Sequence, residues 1–168
     1  DRYASRGLGD VYKRQSYGVI KLPNESPTDG PFETVVNPAD PIASPFGWHD
    51  TDGNIGPEFT ITRGNNIYAR EDDEGDNSQS GTDYSPDGGS SLNFNYDFDI
   101  SGEPASYQDL SITNLFYTGN MVHDIWYNYG FDEQSGNFQE NNYGNGGQDG
   151  DSVIAVSYTH LTLPTIVR

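Results

Sequence analysis

The chain has no cysteine and few basic residues, and both shortages limit what it can be. Without cysteine, the 168-residue protein has neither disulfide bonds nor thiol chemistry. Lysine and arginine together number 8, against 26 acidic residues, which gives a formal net charge of -18 at pH 7. A field of that sign repels nucleic acid and anionic membrane surfaces, so we expect neither as a partner.

Long apolar stretches are also missing. No run approaches the roughly 18 apolar residues that a membrane-spanning helix needs, and no charged-then-apolar signal peptide opens the chain. Hydrophobic residues make up only 32% of the sequence, while 20 Gly and 10 Pro favour turns and loops. Aromatic residues, at 13%, compensate because each large ring buries a large area. A chain of this length can hold one domain, whose core must be thin and rich in rings.

The few basic residues are concentrated at the two ends. Five of the eight lie in residues 1–15 and 156–168. These ends, DRYASRGLGDVYKRQ and VSYTHLTLPTIVR, resemble translated read-through of sequencing adapters. We therefore predict that both tails are artefacts outside the fold, and genuine basic arms are the alternative. On this interpretation residues 16–155 are the biological segment, a fragment cut at both ends.

The first part of the middle segment is typical of β-structure and loops. Residues 16–45 contain six prolines and predict an extended path over a surface. Alternating residues around a turn at 64–66 predict a β-hairpin. Residues 71–91 are rich in acids, Gly and Ser and predict a long exposed loop, whereas residues 92–100 alternate apolar and polar side chains and predict a strand with one buried face.

After Pro104 the apolar period changes to about 3.6, which predicts one long amphipathic helix. Ser106 and Asp109 suit a capping box at its start, and Gly130 suits a cap at its end. Beyond Phe131 the chain predicts a polar surface segment, partly strand around Phe138. The residues predicted to form a single buried stripe are Ile112, Leu115, Phe116, Gly119, Val122, Trp126 and Tyr129.

Two histidines in the middle segment are candidates for function. His123 and Asp124 are neighbours, and on a helix adjacent side chains diverge by about 100°, so we predict that they do not pair. Asp124 is predicted to point away from the buried stripe. For His123 a structural, hydrogen-bonded role is favoured over a role as a ligand, and His49, in a loop, is predicted to be solvated.

Metal ligands are the other possibility. The DTDG sequence at 50–53 begins like a calcium loop, but the later positions do not supply the ligand set. Residues 71–76 form the densest run of carboxylates and would suit Ca²⁺, with a solvated acidic loop as the alternative. A zinc protease helix ending at His160 would need His and Glu where Val156 and Ser157 stand. We therefore assign no catalytic, cofactor-binding or metal-binding residue.

Four motifs carry a resemblance to a known family. They are ASPFGWHDTDG at 43–53, TITRGNNIYARED at 60–72, SPDGGSSLNFNYDF at 85–98 and ITNLFYTGNMVHDIWYNYGFDEQSGNFQENNYGNGG at 112–147. Together they resemble the start of the mature enzyme in the fungalysin family of secreted zinc metalloendopeptidases, the acidic bacterial members more closely than the fungal ones. The resemblance implies an α+β fold, the β-rich N-terminal half of a thermolysin-like module with one long helix. It also implies export, an inhibitory propeptide, and protein or peptide substrates.

The same resemblance implies that the chemistry lies elsewhere. In the family, zinc is held by an H-E-x-x-H helix and a later Glu, and this sequence ends before them, so no ligand is carried over to any position here. We therefore expect a fragment that is inactive alone, whose intact parent is an enzyme with zinc as cofactor. Two alternatives remain open: a secreted acidic β-rich module that binds Ca²⁺ or carbohydrate without catalysis, and an inhibitor-like domain or pseudoenzyme.

Overall fold

In the part of the chain that the structure, a computed structural model, describes, the fold consists of five strands and one long helix. The structure describes residues 15–24, 26–72, 83–97, 102 and 104–157. The elements are β1 (Ser16–Ile20), β2 (Phe32–Val36), β3 (Ile67–Glu71), β4 (Asn93–Phe94), α1 (Gln108–Asn128) and β5 (Val153–Ser157). Short 3₁₀ turns lie at Gly89–Ser91, Pro104–Tyr107 and Glu133–Ser135. The predicted class, α+β and β-rich with one long helix, is confirmed.

The first sheet has the order β2-β1-β4, with β1 in the centre. β1 pairs antiparallel with β2 and parallel with β4. Its alternating sequence points Tyr17 and Val19 inward, where both are fully buried. The prediction that residues 16–45 lie only over a surface is therefore wrong, because the prolines fall in the connections and leave β1 free to enter the core.

The second sheet joins two distant parts of the chain. β3 and β5 run parallel, in register from Ile67 opposite Val153 to Glu71 opposite Ser157. The predicted reversal at 64–66 precedes β3, where Arg63 bridges Tyr68 antiparallel and the Ala69 amide donates to the Thr62 carbonyl at 2.8 Å. The hairpin is thus present but short.

Aromatic rings fill the space between the first sheet and α1. Tyr17 stacks on Phe94 with ring centroids 5.4 Å apart, and Trp48 lies 5.4 Å from Tyr17 on another side. Phe116 of α1 completes this cluster. The predicted alternation from Leu92 to Asp97 is confirmed by burial, but the strand itself is only β4, and residues 98–100 lie outside the described part.

The sequence predicts the C-terminal end of α1 correctly but not its start. Gly130 has φ +96°, and the Phe131 amide donates to the Trp126 carbonyl at 3.0 Å, which is a Schellman cap as predicted. The helix begins after Tyr107 without a side-chain cap. The predicted capping box at Ser106 is wrong, because a 3₁₀ turn delays the start of the helix to Gln108.

The apolar residues of α1 occupy two faces rather than one stripe. Ile112 and Phe116 are fully buried, whereas Val122 is 43%, Trp126 57% and Tyr129 82% exposed. The buried face continues instead through polar residues, Asn120 and Asp124. The predicted single stripe is therefore wrong in its second half, because the apolar pattern passes from the inner to the outer side of the helix.

The two acidic or polar segments predicted to lie on the surface are partly buried. Glu71 and Asp72 are 3% and 0% exposed, although residues 73–82 lie outside the described part. In the later segment Asn137 and Gln139 are buried, and Phe138 is not in a strand. Amide side chains bond to backbone groups there, so polar composition does not require exposure. No helix among the described residues is long and apolar enough to cross a bilayer.

Candidate functional site

The Asp124 carboxylate joins α1 to the segment 40–48. It accepts hydrogen bonds from the Asp40 amide at 2.9 Å, the Ser44 hydroxyl at 2.7 Å and the Trp48 indole Nε1 at 2.9 Å. Asp124 is only 3% exposed. The prediction that Asp124 points away from the core is therefore wrong. Three donors from one loop converge on a single buried carboxylate, which fixes the loop and the Trp48 ring on the helix.

His123 lies on the same carboxylate. Its Nδ1 is 2.9 Å from Asp124 Oδ1, and the two side chains are 8% and 5% exposed. The prediction that the adjacent pair cannot interact is wrong, because side-chain torsions bring the two groups together even though their Cβ atoms diverge around the helix. This contact agrees with a structural histidine. Its other ring nitrogen, Nε2, is buried and has no hydrogen-bond partner among the described residues, so the assignment of no catalytic or metal-binding role to His123 stays a prediction.

His49 is fully buried, contrary to the prediction of a solvated loop histidine. Its Nε2 lies 2.8 Å from the Tyr17 hydroxyl, and its ring stacks on Phe94 with centroids 5.2 Å apart. Burial lowers the pKa of His49 to about 3 and raises the pKa of Tyr17. His49 is therefore neutral at pH 7 and belongs to the aromatic core, where its neighbour Trp48 places it.

A cluster of three carboxylates follows His49 in the loop. One oxygen each from Asp50, Asp52 and Glu58 lies within 4.8 Å of the others. Burial, followed by the Glu58 charge, raises the pKa of Asp50 to about 6, although backbone hydrogen bonds oppose the shift. The motif at 50–53 predicts the two aspartates but not Glu58, because the loop brings Glu58 back to them from outside any motif.

The loop's own donors already contact this cluster. The Gly53 amide donates to Asp50 Oδ1 at 2.6 Å, the Asn54 amide to Asp52 Oδ1 at 2.8 Å, and the Thr51 amide to Glu58 Oε2 at 2.5 Å. Turn formation therefore accounts for the grouping without an ion. In the other predicted acidic run, Glu71 and Asp72 are buried and residues 73–76 lie outside the described part.

Zinc does not fit the groups described. Within residues 15–24, 26–72, 83–97, 102 and 104–157, the one grouping of at least three potential ligands is the cluster at Asp50, Asp52 and Glu58. It contains only carboxylates, whereas protein zinc sites use histidine or cysteine in most positions. His49 and His123 each make one side-chain hydrogen bond, to Tyr17 and to Asp124 respectively.

The shifted pKa values of His49 and Asp50 predict opposing effects of pH on stability. Burial lowers the pKa of His49 from its ordinary value of 6.5 to about 3 in the folded chain, so its contribution to stability is complete above pH 6.5 and is lost as pH falls. The pKa of Asp50 is raised from 3.8 to about 6, so its protonation stabilises the fold as pH falls below 6. We expect Asp50→Asn to steepen the loss of unfolding free energy between pH 6.5 and 5, toward the limit of about 1.4 kcal/mol per pH unit.

Urea denaturation at pH 7, 6 and 5 measures this effect. The matched variant is His49→Gln combined with Asp50→Asn, which removes both groups and should flatten the profile in that window. A double variant with the same slope as Asp50→Asn alone would show that His49 does not titrate as its burial requires.

Similarity to known proteins indicates the family of the chain, which the geometry of the described residues alone does not. Residues 16–162 match the model of the fungalysin metallopeptidase (M36) family. Extracellular metalloproteinase 5 of Trichophyton tonsurans is 41% identical over 148 residues, which cover 86% of this chain and 23% of that protein. Probable extracellular metalloproteinase 5 of Trichophyton verrucosum is 42% identical over 146 residues, covering 86% of this chain and 22% of that protein.

A third relative is a different extracellular metalloproteinase with a similar level of identity. Probable extracellular metalloproteinase 2 of Arthroderma benhamiae is 40% identical over 147 residues, with 86% of this chain and 22% of that protein covered. The chain thus spans less than a quarter of the length of these relatives. The family match covers both sheets and α1, the whole of the fold described above. The chain therefore belongs to the fungalysin (M36) family of metallopeptidases.

Proposed function

We propose that the chain is part of a secreted, zinc-dependent metalloendopeptidase, to which it contributes scaffold rather than catalytic groups. The observation that carries the proposal is the family match over residues 16–162. The names of the relatives, extracellular metalloproteinases, support secretion and protein or peptide substrates. Because the chain corresponds to less than a quarter of those proteins, there is ample length elsewhere for the groups that perform the chemistry.

The contacts described support a scaffold role for these residues. Zinc would be the cofactor of the parent, but the described side chains do not fit it, so no catalytic step is assigned to them. Asp124 instead holds the segment 40–48 on α1, and β5 extends the sheet begun by β3. We also propose that a propeptide inhibits the parent, as the family resemblance implies. The division of the chain into residues 16–155 and two artefact tails stays a prediction.

A secreted Ca²⁺-binding or carbohydrate-binding module without catalysis is the less supported alternative. The cluster of Asp50, Asp52 and Glu58 is the observation nearest to a calcium site. Its carboxylates accept hydrogen bonds from amides of their own loop, which gives them a structural role. The family match favours the peptidase.

We expect the 168-residue chain alone to show no proteolysis and no stoichiometric zinc. The full-length polypeptide that contains it should cleave casein, and a zinc chelator should abolish the cleavage. The measurement is release of casein peptides by the two purified proteins, with and without chelator, together with metal analysis of each. Chelator-sensitive cleavage by the 168-residue chain would contradict the scaffold role, and a full-length protein inactive after propeptide removal would contradict the peptidase.

A further inference from the structure

The outer face of α1 is apolar and exposed. We define this outer face as Val122, Ile125 and Trp126 together with Tyr129, the residue that directly follows the helix; they are 43%, 43%, 57% and 82% exposed. The rings of Trp126 and Tyr129 lie side by side, with centroids 6.4 Å apart. Grouped apolar side chains of this size on a surface mark an interaction site, whereas a single exposed one is ordinary.

The spacing of these residues indicates the kind of element that covers them. Val122, Ile125 and Tyr129 follow one another at intervals of three and four residues, and Leu115, partly buried, precedes Val122 by seven. Intervals of three and four repeat on one side of a helix and are the pattern by which helices pack against each other. A neighbouring helix therefore fits the outer face better than an extended strand does.

The described elements of this chain pack elsewhere on α1. Its opposite side, which includes Ile112, Phe116 and Tyr117, faces the aromatic core. β1, β3 and β5 all contact the helix, yet the outer face keeps its exposure. A helix with two apolar sides and only one covered is incomplete by the usual rule that apolar faces are buried.

The lack of charged residues on the outer face indicates which kind of partner fits it. The outer face has no charged residue, and α1 contains no lysine or arginine at all. An apolar partner helix matches this surface, whereas a basic peptide would find no carboxylate on it. The chain covers only 22–23% of its relatives, so more than three quarters of such a polypeptide is available to supply that helix.

We propose that the outer face of α1 is the seat of an amphipathic helix from the part of the parent polypeptide outside these 168 residues. The partner helix presents an uncharged apolar stripe to Val122, Ile125, Trp126 and Tyr129. The inference rests on the proposed function only in requiring that the chain be part of a longer fungalysin polypeptide. It does not require that the polypeptide be active.

Cysteine accessibility tests the proposal, because the chain has no cysteine of its own. Residues 16–157 replace the matched segment of T. tonsurans extracellular metalloproteinase 5, and single variants are made in this chimera and in the 168-residue chain. Ile125→Cys reports on the outer face. Ile55→Cys, at a side chain 80% exposed, is the matched exposed control, and Ala69→Cys, at a fully buried position, reports folding.

Maleimide labelling, located by peptide mass mapping, should slow at Ile125→Cys by at least about tenfold in the chimera relative to the 168-residue chain. Ile55→Cys should label rapidly in both proteins, and Ala69→Cys slowly in both. Equal labelling of Ile125→Cys in a folded chimera overturns the proposal. Casein cleavage by the chimera is recorded separately, so protection without cleavage would count against the proposed function alone.

A second measurement is decisive should Ala69→Cys label rapidly in the chimera. The separately produced remainder of the T. tonsurans protein is added to the 168-residue chain, and acrylamide quenching of tryptophan fluorescence is followed. Quenching should fall for the wild type and change little for Trp126→Phe, which keeps only the buried Trp48. The proposal is overturned by unchanged quenching. A homodimer that Trp126→Glu disperses would also overturn it, since a second copy would then occupy the outer face. A loss of shielding when residues 158–168 are removed would overturn it too, since the shielding would then come from this chain's own last residues.

Discussion

Replacing Asp124 by alanine is expected to lower the free energy of unfolding by about 3 kcal/mol or more. The substitution leaves the Trp48 Nε1, the Ser44 hydroxyl and the Asp40 amide without their acceptor. Each stranded buried donor costs about 1–3 kcal/mol. Urea denaturation of the 168-residue chain at pH 7 measures the loss.

Trp126→Ala is the matched control, because it removes a far larger side chain from the same helix. Trp126 is 57% exposed, so in this chain its truncation should cost under about 1 kcal/mol. A single buried stripe through Trp126 would give the opposite order, with the tryptophan costing about 3–5 kcal/mol. Similar losses in the two variants would mean that the inner and outer faces of α1 are wrongly assigned.

Gly64→Ala is expected to cost about 4 kcal/mol or more. A Cβ on residue 64 would lie 1.6 Å from the Trp48 carbonyl oxygen. This oxygen is a backbone atom, so it cannot move without also moving the backbone of residue 48 and the contacts that Trp48 makes. That carbonyl accepts the Asn65 amide at 3.0 Å, and Trp48 is at once a core ring and a donor to Asp124. The methyl group therefore displaces both the loop and the aromatic core, as thermal and urea unfolding should record.

Gly18→Ala is the control for that experiment. Its Cβ would approach Asn95 Oδ1 at 3.3 Å, and a side-chain amide can rotate away. The change in the unfolded chain is the same in both variants, since each replaces glycine by alanine. We expect Gly18→Ala to stay within about 1 kcal/mol of the wild type. Comparable losses of unfolding free energy for the two variants would show that the close approach of residue 64 to Trp48 is not what makes a substitution at residue 64 destabilising.

Local patterns predicted the features that depend on near neighbours in the chain. Alternation over Leu92 to Asp97 gave the correct buried face, and Gly130 gave the correct helix end, because both depend on a few adjacent residues. The motifs also predicted the family, since the matching stretches of sequence are long. None of these requires knowing which distant segments meet.

Contacts between distant segments account for the features that the sequence did not predict. Asp124 is buried because a loop some 80 residues earlier supplies three donors. His49 is buried because β1 places Tyr17 beside it, and Glu58 meets Asp50 through a turn that matches no motif. The sequence predicts Val122, Trp126 and Tyr129 as core residues, yet they are exposed, because periodicity shows that residues are apolar but does not show whether a partner is present.

The parallel pairing of β3 with β5 affects how this region folds during synthesis. Strand β3 leaves the ribosome before its partner, Val153–Ser157, which follows only after the whole of α1 and the amide-rich segment. Until then the edge of β3 that β5 will occupy has no strand beside it, and closing so long a loop is entropically slow. The nascent chain therefore passes through a stage at which α1 is complete while the second sheet is not. A ribosome that stalls before Val153 would release a chain with an open sheet edge, the kind of surface that chaperones bind and that aggregation exploits.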